Sequence, residues 1–107
     1  MPFLEASGTQ AATIDTEHTL STITTNNTLV LLVDANAMLD ADELTLRVKT
    51  KVLSGGAIRL IYQAFYLHAQ EMPIKISIPV PSDQEYVATL EQTAGIGRSF
   101  PWKILSL

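Results

Sequence analysis

The segment Glu43-Leu-Thr-Leu-Arg-Val-Lys-Thr-Lys-Val52 decides the fold class, because its apolar and polar residues alternate. In an extended chain Leu44, Leu46 and Val48 point to one side, and threonine, arginine and lysine point to the other. A period of two residues is typical of a strand with one buried face. Ser54-Gly55-Gly56 follows, and glycine supplies the positive φ that hairpin turns need. The segment therefore predicts a strand and a hairpin.

The next segment, from Ala57 to Ala69, predicts a long strand with two apolar faces. Such a strand lies either between two layers or under another chain. One face carries Ile58, Leu60, Tyr62, Ala64 and Tyr66, and the other carries Ile61, Phe65 and Leu67 beside Arg59 and Gln63.

Similar patterns along the rest of the chain predict about seven short strands. Asn26-Asn27 has the residue types of a tight hairpin turn, and Gly95–Ser99 is also expected to be a hairpin turn. The 34–42 segment is expected to cross between sheets, with a helical turn near residues 35–41. Pro79 and Pro81 end a strand or confine it to a sheet edge. We expect a core that contains Leu44, Leu46, Val48, Leu60, Tyr62, Ile76, Ile78 and Leu90.

The fold class predicted from this pattern is all-β, an antiparallel β-sandwich or small barrel. Jelly-roll, immunoglobulin-like and other Greek-key wirings all fit it. Residues 1–13, which are small and polar apart from Phe3 and Leu4, predict an extended N-terminal arm. Residues 14–107 are expected to form a single domain, because 107 residues suffice for one core and not for two.

Composition narrows the possible partners. The net charge is −4 and there is no obvious basic patch, which argues against nucleic-acid binding. No apolar run approaches the ~18 residues of a membrane span, and no signal peptide is apparent, so we expect synthesis in a cytoplasm. Only 17% of the residues are charged, against about 25% in ordinary soluble domains. Either the surface is neutral and rich in threonine, or part of it is buried against neighbours.

No motif predicts catalysis, and the chain is not expected to be an enzyme or to hold a cofactor or metal. His18 and His68 lack metal-ligand spacing. The acidic cluster Asp34, Asn36, Asp40, Asp42 and Glu43 makes calcium the one credible exception, although the glycine and the final glutamate of a calcium loop are missing.

A basic stripe of Arg47, Lys49 and Lys51 follows one strand face. We expect this stripe either to be solvated or to meet an acidic neighbour, including the 34–43 loop of another copy.

Both ends of the chain are candidate subunit interfaces. Chain ends usually fray, yet Phe3 and Leu4 are apolar anchors on the arm, and the last strand has large apolar residues on both faces. One small domain can cover only one of those faces. The candidate interface residues are Phe3, Leu4, Trp102, Leu105 and Leu107.

Three stretches resemble small structural proteins encoded by tailed bacteriophages: Lys51-Val-Leu-Ser-Gly-Gly-Ala57, Lys75-Ile-Ser-Ile-Pro-Val-Pro81, and Leu90-Glu-Gln-Thr-Ala-Gly-Ile-Gly-Arg-Ser-Phe-Pro-Trp102. The likeness covers residues 18–107. It implies an all-β capsid cement or decoration protein, located in the virion and assembled in the host cytoplasm. The implied partners are the major capsid protein and copies of the chain itself, on a symmetric shell.

Two alternatives remain at this point. The resemblance does not separate a cement protein from a head–tail connector or a tail subunit. The composition also leaves open a carbohydrate-binding β-sandwich module, although such a module usually presents exposed aromatic residues, and most aromatics here are at positions expected to face inward.

Overall fold

The computed structural model describes residues 2–107, and within them it contains nine β-strands and no helix. The all-β class is thus confirmed. The helical turn expected near residues 35–41 is wrong, because this segment forms non-helical turns. The strands are β1 (Phe3–Ala11), β2 (Glu17–Ile23), β3 (Asn27–Asp34), β4 (Glu43–Thr50), β5 (Arg59–Leu67), β6 (Ile74–Ile76), β7 (Val80–Ser82), β8 (Tyr86–Ala94) and β9 (Ser99–Ser106).

The strands form two antiparallel sheets around one shared core. The five-stranded sheet has the order β1-β9-β3-β6, with β7 also paired to β3, and the four-stranded sheet has the order β2-β8-β4-β5. The crossing over residues 35–42 lies where the sequence predicts it, and β4 and β5 pair as a hairpin around Ser54–Gly56. The connection spans residues 51–58, and neither Gly55 nor Gly56 takes the positive φ expected of it, because the turn is closed by a hydrogen bond from the Gly56 N–H to the Leu53 carbonyl within a longer loop. The turns at Asn26 and Gly95 do not close hairpins, because each connects strands of different sheets.

The core draws on both sheets. Leu44, Leu46, Val48 and Leu90 are buried, as predicted from their alternation. Burying one such side chain fully contributes about 1.5–3 kcal/mol. The remaining members of the core cluster are Ile23, Leu29, Leu31, Val33, Ala35, Met38, Val80, Tyr86, Ala88, Phe100 and Ile104.

Leu60 is not a core residue, and a β-bulge explains why. The register passes from Val48–Tyr62 to Lys49–Leu60, which leaves Ile61 as an extra residue in β5. A bulge shifts the residues beyond it to the opposite face. Leu60 therefore lies on the outer face and is 50% exposed, whereas Tyr62 is half-buried against the core.

Ile76 and Ile78 are also exposed, contrary to prediction: Ile76 is on the outer face of the edge strand β6, and Ile78 lies outside any strand. Ile76 is opposite Leu32, whose side chain alternates with buried neighbours and so faces away from the core. Ile78 lies in the break between β6 and β7, beside Pro79. The edge position predicted from the prolines is confirmed.

Ser77 closes the break between β6 and β7. Its backbone N–H donates to the Leu31 carbonyl at 2.9 Å, and its Oγ accepts from the Leu31 N–H at 3.0 Å. A buried hydroxyl thus replaces the backbone acceptor that a regular strand would supply.

The N-terminal segment is extended, as expected, but most of it is not separate from the domain. Residues Phe3–Ala11 pair with β9 as an edge strand of the five-stranded sheet. Gly8 lies opposite Trp102, and a Cβ at this glycine would come within 3.3 Å of the indole. The glycine therefore lets the indole lie against the strand, although no β1 side chain is fully buried. Residues 2–107 contain no helix of the length and apolarity that a membrane crossing requires.

Candidate protein-binding surface

The outer face of the five-stranded sheet carries apolar side chains from β1, β9, β3 and β6. Along β3, Leu29, Leu31 and Val33 belong to the core, so Val30 and Leu32 point the other way. Cross-strand partners share a face, and the register extends this face in two rows. One row joins Leu4, Leu105 and Val30, and the other joins Ser7, Lys103, Leu32 and Ile76.

An open groove of about 540 Å³ lies on this face. Leu4 of β1, Leu32 of β3 and Ile74 of β6 line it from three strands, together with Pro101 and Lys103 of β9. We call the surface formed by Leu4, Val30, Leu32, Ile74, Ile76 and Leu105 the apolar outer face. Leu4, Ile74 and Ile76 are exposed, Leu32 and Leu105 are partly exposed, and Val30 is buried. Leu4 is 61% exposed and Ile76 is 59% exposed. Exposed apolar surface of this extent is typical of binding sites on soluble proteins.

The five interface residues predicted from sequence do not form one cluster. Leu4 and Leu105 are direct cross-strand partners on the apolar outer face. Leu107 is exposed two residues beyond Leu105. Trp102 packs against the core and also lines the groove, and Phe3 pairs with the inward-facing Ser106 while its own side chain remains exposed at the edge.

Most residues of the apolar outer face were not predicted as interface residues. Val30 and Leu32 lie in the continuous apolar run Leu29–Val33, which does not show which members face the core. Ile74 and Ile76 alternate with polar residues, a pattern that equally describes a core-facing strand. Only the pairing of β6 with β3 distinguishes the two cases.

The outer face of the four-stranded sheet carries charges that neutralise one another. Arg47 pairs with Glu91 at 2.8 Å, Lys49 with Glu17 at 3.0 Å, and Lys51 with Glu85 at 3.6 Å. The basic stripe therefore finds its acidic partners within its own chain. The outer face of the five-stranded sheet thus carries apolar side chains, whereas that of the four-stranded sheet carries ion pairs.

Hydrogen bonds shift the pKa values of Glu17 and Arg47 towards their charged forms. A hydrogen bond from Thr89, followed by the nearby Lys49 and Arg47, lowers the pKa of Glu17 against the opposing effect of burial. The hydrogen bond to Glu91 and the charge of Glu17 raise the pKa of Arg47. Both Glu17 and Arg47 are therefore charged at neutral pH.

The edges of the two sheets approach each other at β5 and β6. The Tyr62 hydroxyl donates to the Ile76 carbonyl at 3.5 Å, and the Lys75 ammonium lies 4.7 Å from the centre of the Tyr66 ring. Burial and the neighbouring Tyr62 raise the pKa of Tyr66 to about 12. These contacts place β5 beside β6. Exposed apolar side chains lie on β5 (Leu60, Ile61, Phe65 and Leu67) and on or next to β6 (Met72, Ile74, Ile76 and Ile78).

The acidic cluster is organised around a buried ion pair. The Asp42 carboxylate accepts from Arg98 Nε at 2.8 Å, from the Leu39 N–H at 2.8 Å and from the Ile96 N–H at 3.3 Å. Burial would raise the pKa of Asp42, but these hydrogen bonds and the Arg98 charge outweigh it and hold that pKa below its ordinary value. Asp42 thus ties the 35–42 crossing to the turn before β9.

Gly95 is required by this arrangement. Its φ is +90°, and a Cβ there would come within 1.9 Å of the Asp42 Oδ1 atom. The buried Gln92 supports the same turn, since its amide donates to the carbonyls of Ala94 and Ile96 and accepts from the Arg98 N–H. The Gly95–Ser99 segment is therefore a sheet-to-sheet connection built around Asp42.

No catalytic or metal-binding constellation is found in the described part of the chain. The His18 imidazole Nε2 accepts a hydrogen bond from the backbone N–H of Thr13 at 3.0 Å. For His68 it is the backbone N–H, not the imidazole, that donates to the backbone carbonyl of Asp42. Within residues 2–107 no group of three or more histidine, cysteine, aspartate and glutamate side chains is placed to hold a metal. The carboxylate best shielded from water, Asp42, is already paired with Arg98.

Comparison with protein-family models, with curated proteins and with solved structures found no match for this chain.

Proposed function

We propose that this protein is a structural subunit of a larger assembly, and specifically a capsid cement or decoration protein of a virus particle. The observation that carries the proposal is the apolar outer face. A protein that works alone in water gains nothing from leaving Leu4, Ile74 and Ile76 exposed on one face, whereas a subunit can bury them against a neighbour.

The fold supports the same role. The all-β fold of two antiparallel sheets around one core supports a β-sandwich with Greek-key-like connections as the architecture we propose, and such a domain would present a broad, rigid face. A single contact of modest area suffices on a symmetric shell, because repetition adds avidity without one strong site. The resemblance to bacteriophage structural proteins favours the major capsid protein as the partner, and a connector or tail subunit would use the same face.

The carbohydrate-binding alternative is less well supported. Such modules present a platform of exposed aromatic rings. In this chain Trp102, Tyr62 and Tyr66 pack against the core. Among the described residues Phe3 and Phe65 are the large exposed aromatics, and they lie on edge strands of different sheets.

The test uses particles that lack the protein. Virions assembled from a genome deleted for this gene are mixed with purified wild-type protein, and bound protein is quantified after density-gradient sedimentation. We expect saturable binding at a fixed copy number. Ile76→Lys with Leu105→Lys should reduce binding at least ~10-fold, because each change buries a charge in the contact.

The matched control is Thr19→Lys with Thr22→Lys, which adds the same charge to exposed positions of β2 in the other sheet. All variants must melt like the wild type. Absence of the native protein from purified particles, or equal binding by both double variants, would contradict the proposal.

A further inference from the structure

The two sheets expose four edges, and three of them carry features that oppose pairing with another chain. The edge formed by β6 and β7 is broken around Pro79, and Pro81 lacks an N–H to donate. β2 begins at Glu17 and is interrupted by a bulge at Leu20. β1 is bulged at Glu5, and its regular part contains Gly8 among small and polar residues.

The fourth edge, β5, differs in sequence. Beyond its bulge at Ile61, it pairs regularly with β4 from Tyr62 to Leu67. This stretch, Tyr-Gln-Ala-Phe-Tyr-Leu, has no charge, proline or glycine. A regular, uncharged and apolar edge is a template for strand addition.

The stretch is also complementary to itself. In an antiparallel pair, directly opposite residues point to the same face of the sheet. A two-fold axis perpendicular to the sheet keeps each side chain on its own face, so one residue must lie opposite its own copy, with the axis between them. With the axis at Ala64, Gln63 lies opposite Phe65 of the second copy, and Tyr62 opposite Tyr66. The three pairs, Ala64 with Ala64, Gln63 with Phe65 and Tyr62 with Tyr66, all lie within the regular stretch of β5. The residue on the axis, Ala64, is small.

Charge does not oppose this pairing. Arg59 is the one charged residue of β5, and in this register it falls opposite Ala69 of the second copy, beyond the strand. Like charges directly opposite one another, which destabilise strand pairs, are therefore avoided.

The exposed area fits a modest interface. Phe65 and Leu67 are 65% and 54% exposed, and Leu60 and Ile61 extend the same apolar surface. With the backbone of the edge, these side chains present on the order of 500 Å² per copy. Standard interfaces bury about 800 Å² per partner, so the pairing is expected to be reversible and dependent on concentration.

We propose that two copies of this chain pair β5 with β5, antiparallel about a two-fold axis at Ala64, so that their four-stranded sheets become one continuous sheet. The dimer leaves the apolar outer face on the other sheet available. The role of this dimer rests on the proposed function as an assembly subunit. A dimer presents two apolar outer faces and therefore gains avidity on a symmetric shell.

The first test is sedimentation velocity of the purified full-length protein across roughly 1–500 µM, the range in which an interface of this size should dissociate. We expect a monomer–dimer equilibrium. Phe65→Lys should raise the dimer Kd at least ~10-fold, because a lysine on the edge opposes strand addition. Thr19→Lys, at the opposite edge of the same sheet, should leave the Kd unchanged.

The second test fixes the register by disulfide trapping, since the chain contains no cysteine. Ala64→Cys should crosslink to its own copy, because opposed residues have Cα atoms about 4.5–5.5 Å apart. Gln63→Cys alone and Phe65→Cys alone should not, because their copies are displaced along the strands by about 7 Å. A mixture of these two variants should crosslink.

A monomer at all concentrations with no Ala64→Cys crosslink would overturn the inference. So would a dimer that crosslinks through Thr19→Cys, or through Gln63→Cys alone in preference to Ala64→Cys. These results are independent of particle binding, which tests the proposed function, so the failure of one proposal can be told from the failure of the other.

Discussion

Replacing Asp42 by asparagine tests how much its ion pair with Arg98, which joins two connections between the sheets, contributes to the free energy of unfolding. The carboxylate accepts three hydrogen bonds, and its side chain is 1% exposed to solvent. Asparagine retains one acceptor oxygen but turns an amide NH₂ towards other donors, so at least one donor loses its partner. The exposed Asp40 in the same loop provides the matched control, Asp40→Asn.

The expected magnitude follows from the contacts. Removing one partner of a buried pair costs about 3–5 kcal/mol, and Arg98 retains 22% exposure, so water can satisfy part of the guanidinium. We therefore expect a loss of about 3 kcal/mol in the free energy of unfolding for Asp42→Asn, or roughly 10–20 °C in Tm for a domain of this size. Asp40→Asn should stay within about 0.5 kcal/mol of the wild type.

The assay is urea unfolding followed by the fluorescence of Trp102, the one tryptophan in the chain, at several pH values. Because the folded pKa of Asp42 lies below its ordinary value of 3.8, its contribution is present above pH 3.8 and is lost as pH falls through the folded pKa. The difference between wild type and Asp42→Asn should shrink in that acid range. Equal stability of Asp42→Asn and Asp40→Asn at pH 7 would refute this account of the ion pair.

Three further predictions concern the core and the edges. The buried Tyr86 hydroxyl has no hydrogen-bond partner within the described residues, and burial raises its pKa to about 12. Tyr86→Phe should therefore match or exceed wild-type stability by about 1 kcal/mol at pH 7. It should also lose less stability than the wild type between pH 10 and 12, since a raised tyrosine pKa stabilises the fold below pH 10 and that contribution disappears as pH rises through 12; a less stable variant in urea melts would contradict this. Leu46→Ala should cost about 2–5 kcal/mol, whereas Ile76→Ala should cost less than about 1 kcal/mol, and comparable losses in calorimetry would mean that the two faces are misassigned. Deleting residues 1–10 should leave a cooperative melt at reduced Tm, because β1 contributes no core side chain, but should weaken particle binding; an unfolded product would show that β1 is indispensable to the fold.

The β4 segment illustrates how far local pattern reaches. Its alternation places Leu44, Leu46 and Val48 on a buried face without reference to any other strand. When one face of a strand is buried and the other is exposed to solvent, apolar and polar residues alternate along its own sequence. The position of the hairpin between β4 and β5 is equally local, although its glycines do not take positive φ. The all-β class, four of the eight predicted core residues and the edge character of the proline-rich strand follow from such signals.

Position within a sheet depends on partners distant in sequence, and there the local pattern fails. Ile74 and Ile76 alternate as a core strand would, yet pairing with β3 at an edge turns them to solvent. The bulge at Ile61 moves Leu60 to the outer face, because one inserted residue reverses the side-chain alternation beyond it. Asp42 shows the same limit: the sequence places it in an acidic cluster, but only the fold brings Arg98, 56 residues away, within hydrogen-bonding distance. The alternation of residues along one strand determined which side chains could share a face, and the pairing between strands alone decided whether that face met the core, water or a neighbouring molecule.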